Sequence, residues 1–260
     1  MDSTIINDTF PKESQPKDIK IPLKQHQLAL LKQSRILEDS SYKPIKLINE
    51  AQNKRSELKS KFGIIGDIVG SGKTLSILSI ISNKKILENR LPKMIHKGLV
   101  TCHEYSLEDF NVLPYNIIVV PHTIFKQWKE TIEDCTDLKY FGINNKKSLE
   151  EFEKEFFDGN NAPKLEADII LIASTRYSEF DYLIRDLPYN FSRYFFDEAD
   201  ILKISSYATI HASFIWFVSS SYKSLLNPYA KILWSNSSGE TSEFYSYEHT
   251  IRKSIGGLKN

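Results

Sequence analysis

At 260 residues the chain is long enough for one large domain or two small ones around a sizeable core. A formal net charge of +1 gives no global basic footprint, so any nucleic-acid contact has to come from a local patch; Cys102 and Cys135, in no ligand spacing, exclude a disulfide framework. No stretch reaches the roughly 18 consecutive apolar residues of a membrane span, and the expectation is a soluble protein with reduced thiols in a reducing compartment, with no membrane partner.

Residues 1–22 are polar, interrupted by Pro11, Pro16 and Pro22, and lack the apolar core of a signal peptide; a flexible lead-in is expected. From Leu23 to Leu37 the apolar period is that of an amphipathic helix, with Leu23, Gln27, Leu30 and Leu31 on its apolar face. Gln27 there is either a boundary residue or a functional one. Residues 40–60 carry a Lys-rich pattern after Pro44, which predicts a second, solvated helix.

Residues 61–74 then run from a short apolar strand through a glycine-rich turn, Asp67-Ile68-Val69-Gly70-Ser71-Gly72-Lys73-Thr74, into the apolar helix Leu75 to Ile81. Gly70 and Gly72 permit positive φ and let backbone N–H groups close around phosphate oxygens; Lys73 adds a point charge and Thr74 a hydroxyl for Mg²⁺. The helix N-terminus behind them favours an anion. The general phosphate-loop pattern puts glycine where this chain has Asp67. A plain glycine turn between strand and helix is the bland alternative, and strand, turn and helix together speak against it.

Asn83 to Tyr115, with basic Lys84, Lys85, Arg90 and Lys93 followed by acidic Glu104, Glu108 and Asp109, is expected to be a surface insertion. Asn116 to Pro121 and Ala167 to Ala173 are continuous apolar runs of the kind buried on both faces of a parallel sheet. Helices are expected at His122–Asp134, Lys146–Phe157 and before Pro188, with further strands at Leu138–Gly142, Ser192–Phe196 and Ser213–Val218. This alternation predicts a doubly wound α/β domain whose ligand residues gather at the carboxyl ends of the strands. Gly66 to Thr74, Pro121 to Thr123, Ser174 to Arg176, Asp197 to Asp200 and Ser219 to Ser221 all fall there. Beyond residue 221, Tyr229 to Trp234 is a strand or helix, the Ser-rich run to Ser246 a loop, and Arg252 isolated.

An acidic pair after an apolar strand, far downstream of a phosphate loop, suits hydrolysis of a Mg²⁺-nucleotide: Asp197 to hold the hydrated metal, Glu198 to orient water. An acidic helix cap is the bland reading of the same residues. The loop with its Asp67 resembles that of Swi/Snf-type superfamily 2 helicases and ATPases, whose first glycine is likewise an aspartate. Ile118 to Lys129 resembles their motif Ia, Ile169 to Tyr177 motif Ib, Trp216 to Ser221 motif III, and Leu23 to Gln27 their adenine-reading segment; the flavour is that of the large-DNA-virus branch, such as poxvirus-like transcription helicases.

The resemblance implies a RecA-like P-loop NTPase domain with a mainly parallel sheet and helices on both faces. It further implies that Gln27, Asp67, Gly70, Ser71, Gly72, Lys73 and Thr74 bind ATP, that Thr74 and (through water) Asp197 hold Mg²⁺, and that Lys73, Asp197 and Glu198 serve hydrolysis. His122, Thr123, Ser174 and Thr175 would touch DNA or RNA, and Ser219, Ser220 and Ser221 would couple nucleotide state to that grip; ordinary strand-end caps and turns are the alternative for these small polar residues. The expected organisation is a lead-in at 1–22, an ATP-binding lobe at 23–221, and at 222–260 the end of the domain or a linker toward a second RecA-like lobe in the same or another chain. No arginine-rich second lobe follows, so turnover is expected to be weak. A nonenzymatic nucleotide-binding scaffold in a transcription or packaging assembly is the competing reading, and a small-molecule kinase is a third. Cytoplasm, nucleus, viral factory or virion would all fit, with transcription machinery as a partner.

Overall fold

The computed structural model describes residues 6, 9–39, 45–49, 54–58, 62–83, 92–97, 100–105, 111–157, 164–202, 212–221, 230–235 and 241–246. Six parallel strands form the central sheet: β3 (Phe62–Gly66), β6 (Asn111–Val120), β7 (Tyr140–Ile143), β8 (Ile169–Ala173), β9 (Tyr189–Phe196) and β10 (Ala212–Ser219). Their spatial order is β3-β10-β9-β6-β8-β7, so β10 separates the strand before the glycine-rich turn from the strand carrying the acidic pair.

Burial on both faces follows from the uninterrupted apolar runs. Ile117 to Val120 and Ile169 to Ala173 are wholly buried, and their side chains alternate between two cores. Ile118, Val120, Leu171, Phe195 and Val218 face α1 (Gln25–Asp39), α2 (Lys73–Ser82) and α3 (Phe125–Cys135). On the other side Ile117, Val119, Ile170, Ile172 and Phe196 face α4 (Lys146–Phe156) and α5 (Tyr177–Ile184), where Phe152 and Phe156 stack at 4.7 Å. The domain is thus a mainly parallel α/β sandwich with helices on both faces, as expected. Asn145 and Ser148 form a reciprocal capping box that starts α4.

Several expectations need correction. Within residues 40–60 the described segments are strands and not the expected helix: β1 (Ile45–Asn49) and β2 (Lys54–Leu58) pair antiparallel, in keeping with β-branched Ile45 and Ile48. The stretch read as an insertion holds a second hairpin, β4 (Pro92–Lys97) with β5 (Val100–Tyr105), and the first part of β6. β6 begins five residues before Asn116, and Pro114, which cannot donate to the ladder, sits at the register break between Leu113 and Asn116. The Ser-rich run expected as a loop contributes β12 (Thr241–Ser246), antiparallel to β11 (Ala230–Ser235). Lys84, Lys85, Arg90, Glu108, Asp109 and Arg252 lie outside the described residues.

Part of the expected flexible lead-in is docked. Gln15 donates to the Ile19 and Ile21 carbonyls at 3.1 Å and accepts from the Leu23 N–H at 3.0 Å, while buried Ile19 bridges to Thr136 beside α3. Glu13 pairs with Arg35 of α1 at 2.9 Å. A side-chain clamp of this kind replaces the missing strand or helix ladder.

Candidate functional site

Because the six strands are parallel, the loops after them open on one rim. Gly66 lies opposite Ser219, Val119 opposite Phe196 and Val120 opposite Ala173, which brings the expected segments to the same edge.

The glycine-rich turn adopts the backbone anticipated for it, with φ of 78° at Gly70 and 88° at Gly72, the residue preceding α2. Asp67 has a structural task where the general pattern has glycine, since its Oδ1 accepts the Ile68 N–H at 2.8 Å. Lys73 Nζ folds over the turn and donates to the carbonyls of Asp67 (3.2 Å) and Ile68 (3.1 Å). An anion in the turn would compete for those donors with higher charge. Ser71 and Thr74 are half-buried within the same turn.

Gln27 is no boundary residue. Only 3% exposed, it accepts the Lys24 N–H at 2.8 Å and donates from Nε2 to the Gly72 carbonyl at 3.1 Å. Its neighbour His26 donates to the Ser71 carbonyl at 3.2 Å. The first turn of α1 therefore braces the glycine-rich turn.

Across the rim, Asp197 is 5% exposed. Its Oδ2 accepts from Trp128 Nε1 at 2.8 Å and its Oδ1 from the Glu198 N–H at 3.0 Å. Burial pushes the Asp197 pKa up, opposed by these two hydrogen bonds and by the charge of Lys73. Glu198 is also raised, by burial and then by Asp197, and it too feels Lys73. One ammonium thus acts on both acids, joining segments more than a hundred residues apart. Glu198 sits at φ 50°, the one non-glycine residue with positive φ among those described, and the following Ala199 N–H is anchored to the Val218 carbonyl at 2.9 Å. Left-handed backbone at a non-glycine residue is a strained geometry that the surroundings have to impose.

The three serines part company. Ser219 is fully buried and donates to Asp200 Oδ1 at 2.6 Å while accepting the Ser221 N–H at 2.8 Å, tying the end of β10 to the acidic turn; Ser220 and Ser221 form the turn beyond it. His122 and Thr123 are exposed on a 3-10 turn after β6, and Ser174 and Thr175 occupy the corresponding turn after β8. Ser174 and Thr175, with Pro121, Ile201 and Leu202, line a depression of about 290 Å³ at that rim. Arg176 is turned to Glu179, at 3.0 Å.

Two contacts escaped the sequence reading: the indole of Trp128 on Asp197, and Asp200 as the partner of Ser219. A signal for the first existed, since a tryptophan on the apolar face of an amphipathic helix needs an acceptor when buried. Among the described residues, no helix is long and apolar enough to cross a membrane, and Cys135 is a free thiol.

No family model matches the chain. Over 168 residues, 56% of this chain, it is 27% identical to "Putative helicase R592" of Acanthamoeba polyphaga mimivirus. The chain spans about a fifth (19%) of the length of that mimivirus relative. Two solved structures are also similar. One is the SWI2/SNF2 ATPase core of Sulfolobus solfataricus in complex with dsDNA, at 16% identity over 80% of this chain and 34% of that one, with a TM-score of 0.48. The other is a nuclease-deletion mutant of the Type ISP restriction-modification enzyme LlaGI with a DNA substrate mimic, at 12% identity over 85% of this chain and 19% of that one, with a TM-score of 0.45.

Proposed function

We propose that this domain is the ATP-binding lobe of a superfamily 2 helicase or translocase that couples ATP hydrolysis to action on DNA or RNA. The observation that carries the proposal is the convergence of Lys73, Asp197 and Glu198 on one rim, with the ammonium acting on both carboxylates. The donor set suits Mg²⁺-ATP: a glycine turn at a helix N-terminus, the Thr74 hydroxyl, and a buried carboxylate whose charge is left incompletely compensated. When bound, Mg²⁺-ATP would supply the transferable phosphoryl group and a cation to offset its negative charge.

The chain's own residues then divide the work. Gly70 to Thr74 cradle the phosphates, and Lys73 exchanges the carbonyls of Asp67 and Ile68 for phosphate oxygens. Gln27, already held against Gly72, contacts the adenine. Asp197 and Thr74 face the metal, and Glu198 orients the attacking water. His122, Thr123, Ser174 and Thr175 contact the nucleic-acid backbone, and Ser219 carries changes at the acidic turn into β10. Arg35, Arg176, Arg185 and Arg193, the arginines whose side chains are described, all pair with carboxylates within the domain. The arginine that stabilises the transferring phosphoryl group, an effect of about 10³ to 10⁵ in rate, comes in this reading from a second lobe in the same or another chain.

Steady-state ATP hydrolysis with and without DNA or RNA, for the chain and for Glu198→Gln, alongside nucleotide binding, tests this reading. Nucleotide binding with slow hydrolysis, abolished by the substitution, is expected. Failure to bind ATP would overturn it.

A further inference from the structure

The Asp197 carboxylate is fixed from two sides. Oδ1 takes the Glu198 N–H and Oδ2 takes the Trp128 indole N–H, so two donors on two different oxygens set the plane of a group whose terminal torsion is otherwise broad. A carboxylate offers about four lone-pair sites, which leaves acceptor capacity on each oxygen. Trp128 is itself 1% exposed, and Phe125 and Ile132, buried on the same helix, seat α3 against the sheet. Phenylalanine would supply much the same burial; only tryptophan adds a donor, and that donor is spent on Asp197.

We infer that Trp128 is a positioning residue for the metal-holding carboxylate, its N–H aiming Asp197 at a hydrated divalent cation bound with the nucleotide. The inference rests on the ATPase reading above and adds to it a residue with no contact to nucleotide or metal. Outer-shell partners of this kind are typically worth 10- to 100-fold in metal affinity.

The test titrates Mg²⁺ against binding of a fluorescent ATP analogue to the full chain, for the unmodified protein, Trp128→Phe, Asp197→Asn and the double variant, with thermal unfolding followed for each. Trp128→Phe is expected to raise the Mg²⁺ concentration for half-maximal binding about tenfold, to leave Mg²⁺-free binding unchanged, and to add nothing in the Asp197→Asn background. An unchanged Mg²⁺ requirement, or an equal loss in the Asp197→Asn background, overturns the inference while leaving the ATPase reading intact. Absence of any nucleotide binding by the unmodified chain removes both. Should Trp128→Phe fail to fold, benzothienylalanine at position 128, which keeps the ring shape and lacks the N–H, gives the same readout.

Discussion

Two buried carboxylates in this domain each hold a tryptophan N–H, and they differ in how their charge is met. Glu38, at the end of α1, accepts Trp216 Nε1 at 2.9 Å and a bidentate Arg193, through Nε at 2.8 Å and Nη2 at 2.9 Å. Arg193 is 1% exposed and extends the network to Asn116 and Ser192. Asp197 accepts its indole at 2.8 Å but forms no ion pair among the described residues; Lys73 acts on it from a position over the phosphate loop. The first carboxylate is neutralised on the spot and locks α1 to β9 and β10. The second keeps a charge that burial disfavours, at the rim where a cation would relieve it. What separates a strut from a site here is charge compensation, since depth and hydrogen bonding are similar.

The comparison breaks most readily at the strut. Arg193→Met should cost about 3–5 kcal/mol by urea unfolding, because Glu38 is left as an uncompensated buried charge. Adding Glu38→Leu should recover much of that loss, since removing both charges is far cheaper than removing one. A loss below about 1 kcal/mol for Arg193→Met would mean that the pair is not what holds α1.

The helix that carries Glu38 meets the glycine-rich turn at its far end. A Cβ at Gly72 would lie 2.5 Å from Gln27 Nε2, so that amide would have to swing off the Gly72 carbonyl, and the backbone there is at φ 88°. Gly72→Ala should therefore destabilise by about 1–2 kcal/mol, the cost of a left-handed non-glycine residue, and should weaken nucleotide binding in the same titration.

At Asp197 the sign reverses. Its pKa is raised in the fold, so folding favours the protonated acid: the stabilising contribution is complete below the ordinary aspartate range and is lost as pH rises through the elevated value. Above that value the ionised group is a net cost. Asp197→Asn removes that charge but keeps one acceptor oxygen for two N–H donors, so the two effects offset and the metal-free domain should change by less than about 1 kcal/mol in stability while Mg²⁺-dependent nucleotide binding is weakened. A stability loss matching that of the strut would erase the distinction.

How much of this was legible in the sequence follows from sequence separation. The central sheet could be read because Asn116 to Val120 and Ile169 to Ala173 announce burial on both faces within a few residues. The glycine-rich turn into α2 could be read because its glycines and helix are contiguous. The hairpins could not: β1 and β2 have five residues each, with Lys46, Lys54 and Arg55 interrupting the apolar pattern that would mark strands. The pairings that define strut and site lie further out of reach. Trp128 meets Asp197 across 69 residues, and Glu38 meets Arg193 and Trp216 across 155 and 178. A lone Glu near a helix C-terminus reads as a misplaced charge until its partners are known.

The smallest effect tests whether the rim stores strain. Glu198 alone among the described non-glycine residues has positive φ, 50°, between the fixed carboxylate of Asp197 and an Ala199 N–H bonded to β10. Neighbours on both sides thus impose a conformation that the residue itself disfavours, and glycine would adopt it freely. Glu198→Gly gives up some folded-state advantage by loosening the unfolded chain, so the net gain should stay below about 1 kcal/mol in urea unfolding. Hydrolysis should fall with the loss of the carboxylate proposed to orient water, as in Glu198→Gln, whereas the glutamine variant keeps the strained backbone and should not share the gain. Equal stabilities for the two variants would place no strain at this turn, and the rim would then differ from the strut in charge alone.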